Sequence, residues 1–353
     1  MKTLTLTLLS IVALALPSLA QDDIHKQWFA DYDKAVAAAT AAKKDLLVDF
    51  TGSDWCGWCI KLDKEVFAHE AFLSAASEKF ILVALDFPRG DEAKAKVPNP
   101  DRNQELSQKY GVQGFPSILL ITPQGEVYGK TGYQEGGPEA YVKHLEEISA
   151  SGKLELSKAK EFAAEYAAAA DEAAKLAIIE RALIRLSSMD PEGIGAATYA
   201  DVARNAYILD AKDERGLATR TVSTLLELGL TNQADKALVG ALDPKNEKGL
   251  LEKLVMAKTE SIASKDELEN IVAEVEALMA MGPIKDKDLA KMFVANLAFW
   301  NHRFLGNPAK AKTYAKQLQE LAGEDPGYAK RFGDLVTMIL AADDTNDEDG
   351  GDQ

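Results

Sequence analysis

Cysteine is nearly absent: 353 residues hold two, Cys56 and Cys59. A framework of structural disulfides is therefore excluded, and a C-x-x-C loop closes too few residues to constrain an unfolded chain much. Histidine is also scarce. His25, His69, His144 and His302 stand far apart, and the second Cys/His pair that a tetrahedral zinc site needs is missing. Positive charge is short, with 40 Lys and Arg against 56 Asp and Glu and a formal net charge of −16. That balance argues against nucleic acid or an anionic membrane as partner. Beyond the N-terminal segment no long hydrophobic run recurs, so nothing later in the sequence would span a bilayer.

The N-terminal segment reads as an export signal. Lys2 supplies the positive region, Leu4 to Leu16 the apolar run, and Pro17-Ser18-Leu19-Ala20 the small residues of a cleavage site. Residues 1–20 are expected to be removed, leaving a periplasmic or secreted protein with no stable membrane insertion after cleavage. No cysteine stands at the cleavage site, so a lipid anchor is not indicated. Such compartments are oxidising, and a lone C-x-x-C there needs a redox partner to keep it in its working state.

Residues 21–151 alternate helix and strand signals. Trp28 to Lys43 has a helical period, Asp45 to Thr51 is a buried strand, Lys61 to Lys79 a helix and Phe80 to Phe87 a second strand. Pro88 to Asn103 reads as a long loop. Ser117 to Thr122 and Glu126 to Thr131 flank the turn Pro123-Gln124-Gly125 as a hairpin, and Pro138 to Ile148 closes the region as a helix. Residues 152–342 carry no convincing strand and read as all-α. Within them Leu209-Asp-Ala-Lys-Asp-Glu-Arg-Gly-Leu217 has an echo in Leu242-Asp-Pro-Lys-Asn-Glu-Lys-Gly-Leu250. The interval from Leu209 to Leu242 suits helix-turn-helix repeats of the tetratricopeptide type; chance likeness between two helix starts is the alternative. Residues 343–353 are acidic and expected to be a disordered tail.

The order strand, C-x-x-C, helix places Cys56 at a helix N-terminus, where backbone N–H groups and the helix dipole stabilise a thiolate. Cys59 lies one turn further in. Cys56 is then the entering nucleophile and Cys59 the resolving thiol of a redox-active dithiol. Trp58 is expected to be partly exposed, where it could contact protein substrates.

Four motifs in order resemble the thioredoxin superfamily over roughly residues 24–150: Val48-Asp49-Phe50, Trp55-Cys56-Gly57-Trp58-Cys59, Tyr110-Gly-Val-Gln-Gly-Phe-Pro-Ser117, and Gly125-Glu126-Val127 followed by Gly132. The resemblance implies an α/β thioredoxin fold, a mixed central sheet flanked by helices, here followed by the all-α region. It implies that Pro116 is a cis-proline lining the substrate groove, that Phe115 shapes that groove, and that Trp55 shields the site. It also implies that Asp49 is a buried acid near Cys59 that accepts its proton. The chain departs from the pattern in having Gly57-Trp58, with neither Pro nor His, between its cysteines. It also has an additional residue in Thr51-Gly52-Ser53-Asp54 and an insertion at Pro88 to Asn103.

An exported thioredoxin-like thiol–disulfide oxidoreductase acting on protein disulfides follows as the expected function, without metal or cofactor. The missing His leans it towards reductant. A second reading makes the helical region a scaffold or peptide-binding protein whose thioredoxin domain only docks partners. A third uses the two thiolates to handle Cu(I).

Overall fold

A computed structural model of the chain describes residues 27–259, 262–323 and 326–341. The expected leader over 1–20 and the acidic tail over 343–353 lie outside those residues. The structure divides into two compact units, one up to Lys158 and one from Ala159.

In the first unit Asp45–Thr51 is buried at five consecutive positions, so the strand it forms must be covered on both faces. It is β1, flanked by β2 (Phe80–Asp86) in parallel and by β3 (Ser117–Ile121) antiparallel. β4 (Val127–Thr131) completes the order β2-β1-β3-β4. The helices are α1 (Tyr32–Ala42), α2 (Gly57–Leu62), α3 (Glu70–Lys79), α4 (Asp91–Lys94), α5 (Pro100–Lys109) and α6 (Gly137–Ala168). Side chains alternate along a strand. Leu46, Val48 and Phe50 therefore pack with Tyr32, Ala35 and Leu106 of α1 and α5. Leu47, Leu82, Ile118 and Leu120 pack on the other face with Leu62, Phe67, Phe72 and Tyr141. Each fully buried side chain of this kind contributes about 1.5–3 kcal/mol. The same alternation turns Asp49 to the Leu47 face, under the helix that carries the cysteines.

Three elements differ from their sequence expectation. The helix expected over 61–79 is broken. α2 ends at Leu62, Asp63–Phe67 forms a π turn, and His69 in extended conformation starts α3. Apolar spacing continues across the break, so periodicity alone does not reveal it. The loop expected over 88–103 contains α4 and the start of α5, with Pro100 in the first turn of α5, where a missing N–H costs nothing. The closing helix does not stop near Ile148 but runs on through Gly152 to Ala168. A glycine in a helix interior costs about 1 kcal/mol. Here it is required, because a Cβ at 152 would overlap the carbonyl oxygen of Tyr128.

The second unit is helical throughout its described residues: α7 (Glu172–Ser187), α8 (Ala196–Arg204), α9 (Ala206–Leu209), α10 (Leu217–Glu227), α11 (Gln233–Leu242), α12 (Leu250–Thr259), α13 (Lys265–Met281), α14 (Lys287–Arg303), α15 (Pro308–Ala322) and α16 (Pro326–Ala341). The two sequence echoes have one geometry. Asp210 accepts from the backbone N–H groups of Arg215 and Leu217, and Asp243 from those of Lys248 and Leu250. Asp213 and Asn246 both sit at φ 56°, and Gly216 and Gly249 at 70° and 75°.

Candidate active site

β1 delivers the chain to a tight loop whose shape depends on Gly52, since a Cβ there would lie within 3.0 Å of the Trp55 indole. Trp55 is pinned from several directions. Its Nε1 donates to the Phe87 carbonyl at 2.8 Å, the Arg89 guanidinium lies 3.9 Å from its ring centre, and Phe115 meets it edge-on at 5.8 Å. Asp54 accepts from the backbone N–H groups of Arg89 and Gly90, and Ser53 donates to Asp86 from both backbone and hydroxyl. The loop before the cysteines is thus laced to residues 86–90. The Asp54 carboxyl is held below its usual range, first by the Arg89 N–H.

Cys56 caps α2. Its backbone is extended, and its Sγ accepts from the Cys59 N–H at 3.2 Å. The two cysteines are joined as a disulfide with a Cα–Cα separation of 5.2 Å. Both are buried, Cys56 at 7% exposure and Cys59 at 3%. A sulfur at such an N-cap faces backbone N–H groups at the positive end of a helix, a setting that favours a thiolate.

The Phe115–Pro116 peptide bond is cis. Phe115 packs against Phe87 at 5.1 Å as well as edge-on against Trp55, so the residue before the cis bond and the residue before Cys56 share one aromatic cluster. Gly132 passes close by, where an added Cβ would stand 3.2 Å from the Pro116 carbonyl. Trp58 belongs to a separate cluster. It is 58% exposed and lies 5.3 Å from Tyr133, with Lys61 over both rings. Tyr133 donates to Glu65.

Asp49 and Cys59 open onto one cleft of about 520 Å³, together with Trp28, Asp63, Asp86 and Lys96. Asp49 is 7% exposed, and its Oδ1 finds no hydrogen-bond partner among the described residues. Burial, then the Asp63 charge, then the Asp86 charge raise its pKa well above the usual carboxylate range. A buried carboxyl without partners is costly unless it stays neutral. A carboxyl whose pKa is raised, beside a thiol, can take up the thiol's proton when it is ionised and hand it back when it is protonated. Among the described residues no group of acids, cysteines and histidines is placed to hold a metal ion, and no helix is long and apolar enough to cross a membrane.

Residues 32–149 match the family described as a thioredoxin-like domain. Over 121 residues the chain is 35% identical to the disulfide bond reductase DsbH of Chlamydia pneumoniae, an overlap spanning 34% of this chain and 70% of that protein. The chain belongs to the thioredoxin-like family. It is also 30% identical to the thioredoxin-related protein DsbJ of Chlamydia pneumoniae, over 36% of this chain and 38% of that one. A solved structure titled DsbH oxidoreductase shares 29% identity, covering 41% of this chain and 94% of that one with a TM-score of 0.31. As a thioredoxin-like protein with its C-x-x-C pair present, the chain is a thiol–disulfide oxidoreductase. Its second unit lies outside residues 32–149, which match the family.

Sequence reasoning brought out the cysteines, Asp49, Trp55, Trp58, Phe115 and Pro116. It missed Asp63, Asp86, Arg89 and Tyr133. Asp63 sits in the charged run Lys61 to Glu65, which reads as a solvated helix face. Its one signal is a position four residues after Cys59, on the same face of the helix.

Proposed function

We propose that the protein is an exported reductant of protein disulfides. The observation that carries this is the pair Gly57-Trp58 between the cysteines, which places no titratable cation over Cys56. A strong oxidant owes its potential to a stabilised reduced form. Here the thiolate has only backbone N–H groups and the helix end to stabilise it. The name of the DsbH relative, a disulfide bond reductase, supports the same direction.

In the forward reaction the Cys56 thiolate attacks a substrate disulfide, forming a mixed disulfide and releasing one substrate thiolate, which takes a proton from solvent. Cys59 gives its proton to ionised Asp49 and attacks the Cys56 Sγ, releasing the second substrate thiolate. The dithiol has then passed two electrons to the substrate, and the resulting Cys56–Cys59 disulfide awaits a redox partner. Trp55, Phe115 and Pro116 form the surface against which an extended substrate lies, and Trp58 offers it an exposed aromatic contact.

Equilibration of the couple with glutathione tests the direction. A potential of about −230 mV or lower supports reduction, and one near −120 mV overturns it. Cys56→Ser is expected to lower the exchange rate by at least roughly 10³-fold, and Cys59→Ser to accumulate mixed disulfide. The two matching loops centred on Asp210 and Asp243 favour one further reading, in which the helical unit is a repeat that docks partner proteins. If Cys56→Ala retained every partner and the full phenotype, docking rather than exchange would be the main function.

A further inference from the structure

The cleft beside Cys59 holds more carboxylates than proton acceptance needs. Asp49 from β1, Asp63 from the π turn and Asp86 from β2 all line it. Two buried polar atoms on that cleft, Asp49 Oδ1 and Trp28 Nε1, have no hydrogen-bond partner among the described residues. Asp63 reaches the cleft by a local distortion. It follows Cys59 by four residues, its N–H is shared between the Cys59 and Ile60 carbonyls, and the wider turn begins at Asp63 itself. Such π turns interrupt α-helices frequently at functional sites.

We propose that Asp63 is a positioning residue for the exchange reaction, acting on Asp49 through the shared cleft so that the proton leaving Cys59 is retained there and can be handed back. The inference rests on the role of Asp49 given above. Two carboxylates lining one cleft cannot both ionise cheaply, so the buried member holds a proton more tightly once it has taken one up. The groups that face Asp49 are Cys59 from the active-site helix, Asp63 from the π turn, Asp86 from β2, Lys96 from the segment after α4, and Tyr141 from α6. Lys96 is paired with Glu92 at 3.0 Å, and the Tyr141 hydroxyl donates to the Gly132 carbonyl. Of the two acids that raise Asp49, Asp63 is the larger contributor and the one set by the π turn, and Asp86 also accepts from Ser53.

In the step itself the Cys59 S–H bond breaks and its proton goes to Asp49. The new Cys59–Cys56 bond forms as the bond from Cys56 to the substrate sulfur breaks. In the reverse direction the proton returns to Cys59. The test uses the full-length reduced protein and insulin as the disulfide substrate, with single-turnover rates followed from about pH 5 to 9. Asp63→Asn is expected to move the acid limb of the profile down by roughly 0.5–1 pH unit, and Asp63→Glu to return it towards its original place. The Asp49 carboxyl band, followed by infrared difference spectroscopy, is expected to titrate at correspondingly lower pH in Asp63→Asn and in a second variant, Asp63→Ala. If Asp49→Asn flattens the acid limb while both Asp63 variants leave it and the carboxyl band in place, the inference is overturned and the Asp49 role stands. If Asp49→Asn leaves the limb unchanged, the Asp49 role fails and takes this inference with it.

Discussion

Asp49 in the first unit and Asp235 in the second are both withdrawn from solvent, at 7% and 0% exposure, but their surroundings are opposite. Asp235 accepts from Arg204 through Nε and a terminal nitrogen, from the Tyr207 hydroxyl and from the Asn232 N–H. Asp210, Asp243 and Glu252 are likewise satisfied, mostly by backbone N–H groups. Asp49 has an oxygen with no partner among the described residues, and the charges that act on it are negative. The helical unit uses buried acids to tie loops and helix ends in place, at a desolvation cost its hydrogen bonds offset. The thioredoxin-like unit leaves one acid unsatisfied beside its reactive sulfurs. The same residue type thus serves architecture where it is paired and, in the function proposed above, proton transfer where it is not.

The largest effect that would break this contrast comes from unpairing Asp235. Arg204→Ala is expected to destabilise the helical unit by about 3–5 kcal/mol, read as a lower denaturant midpoint of the helical circular-dichroism signal. An unchanged midpoint would mean that the pair contributes nothing to the fold. Next are the matched loops. Asp210→Ala and Asp243→Ala each strand two backbone N–H groups, and each is expected to cost about 1–3 kcal/mol. Values differing severalfold would show that their common geometry hides unequal roles. The smallest stability change has the opposite sign. Asp49→Asn removes a buried carboxyl with an unpartnered oxygen and is expected to leave the protein equally or slightly more stable, by up to about 1 kcal/mol, while slowing exchange roughly 10²-fold. The stability gain should depend on pH. The folded-state pKa of Asp49 is raised, so the folded protein binds its proton more tightly than the unfolded chain does. Wild-type stability is therefore lost as pH rises from about 4 through the raised pKa. The advantage of Asp49→Asn should grow over that window and level off above it. A pH-independent difference would remove the electrostatic account.

What could be read from the sequence follows from how far each signal is local. β1 and its acid stand out because an ionisable residue inside an apolar run is rare and both neighbours are plain. The two cysteines need only their spacing. The π turn at Asp63–Phe67 is hidden because Leu62, Val66 and Phe67 keep a helical apolar rhythm through it. Gly152 looks like a helix end, since its reason for being glycine is the backbone of Tyr128, on a strand well before it in the chain. Arg89 and Tyr133 reach the site only through tertiary stacking on Trp55 and Trp58, and a single residue in a loop carries no pattern that announces such contacts.

The loops at Asp210 and Asp243 repeat both their hydrogen bonds and their left-handed positions. A chain cut at one loop and rejoined at the equivalent point of the other would meet the same backbone angles and the same waiting N–H groups. The pair therefore marks two points of the chain where a cut end would find the same local partners waiting for it.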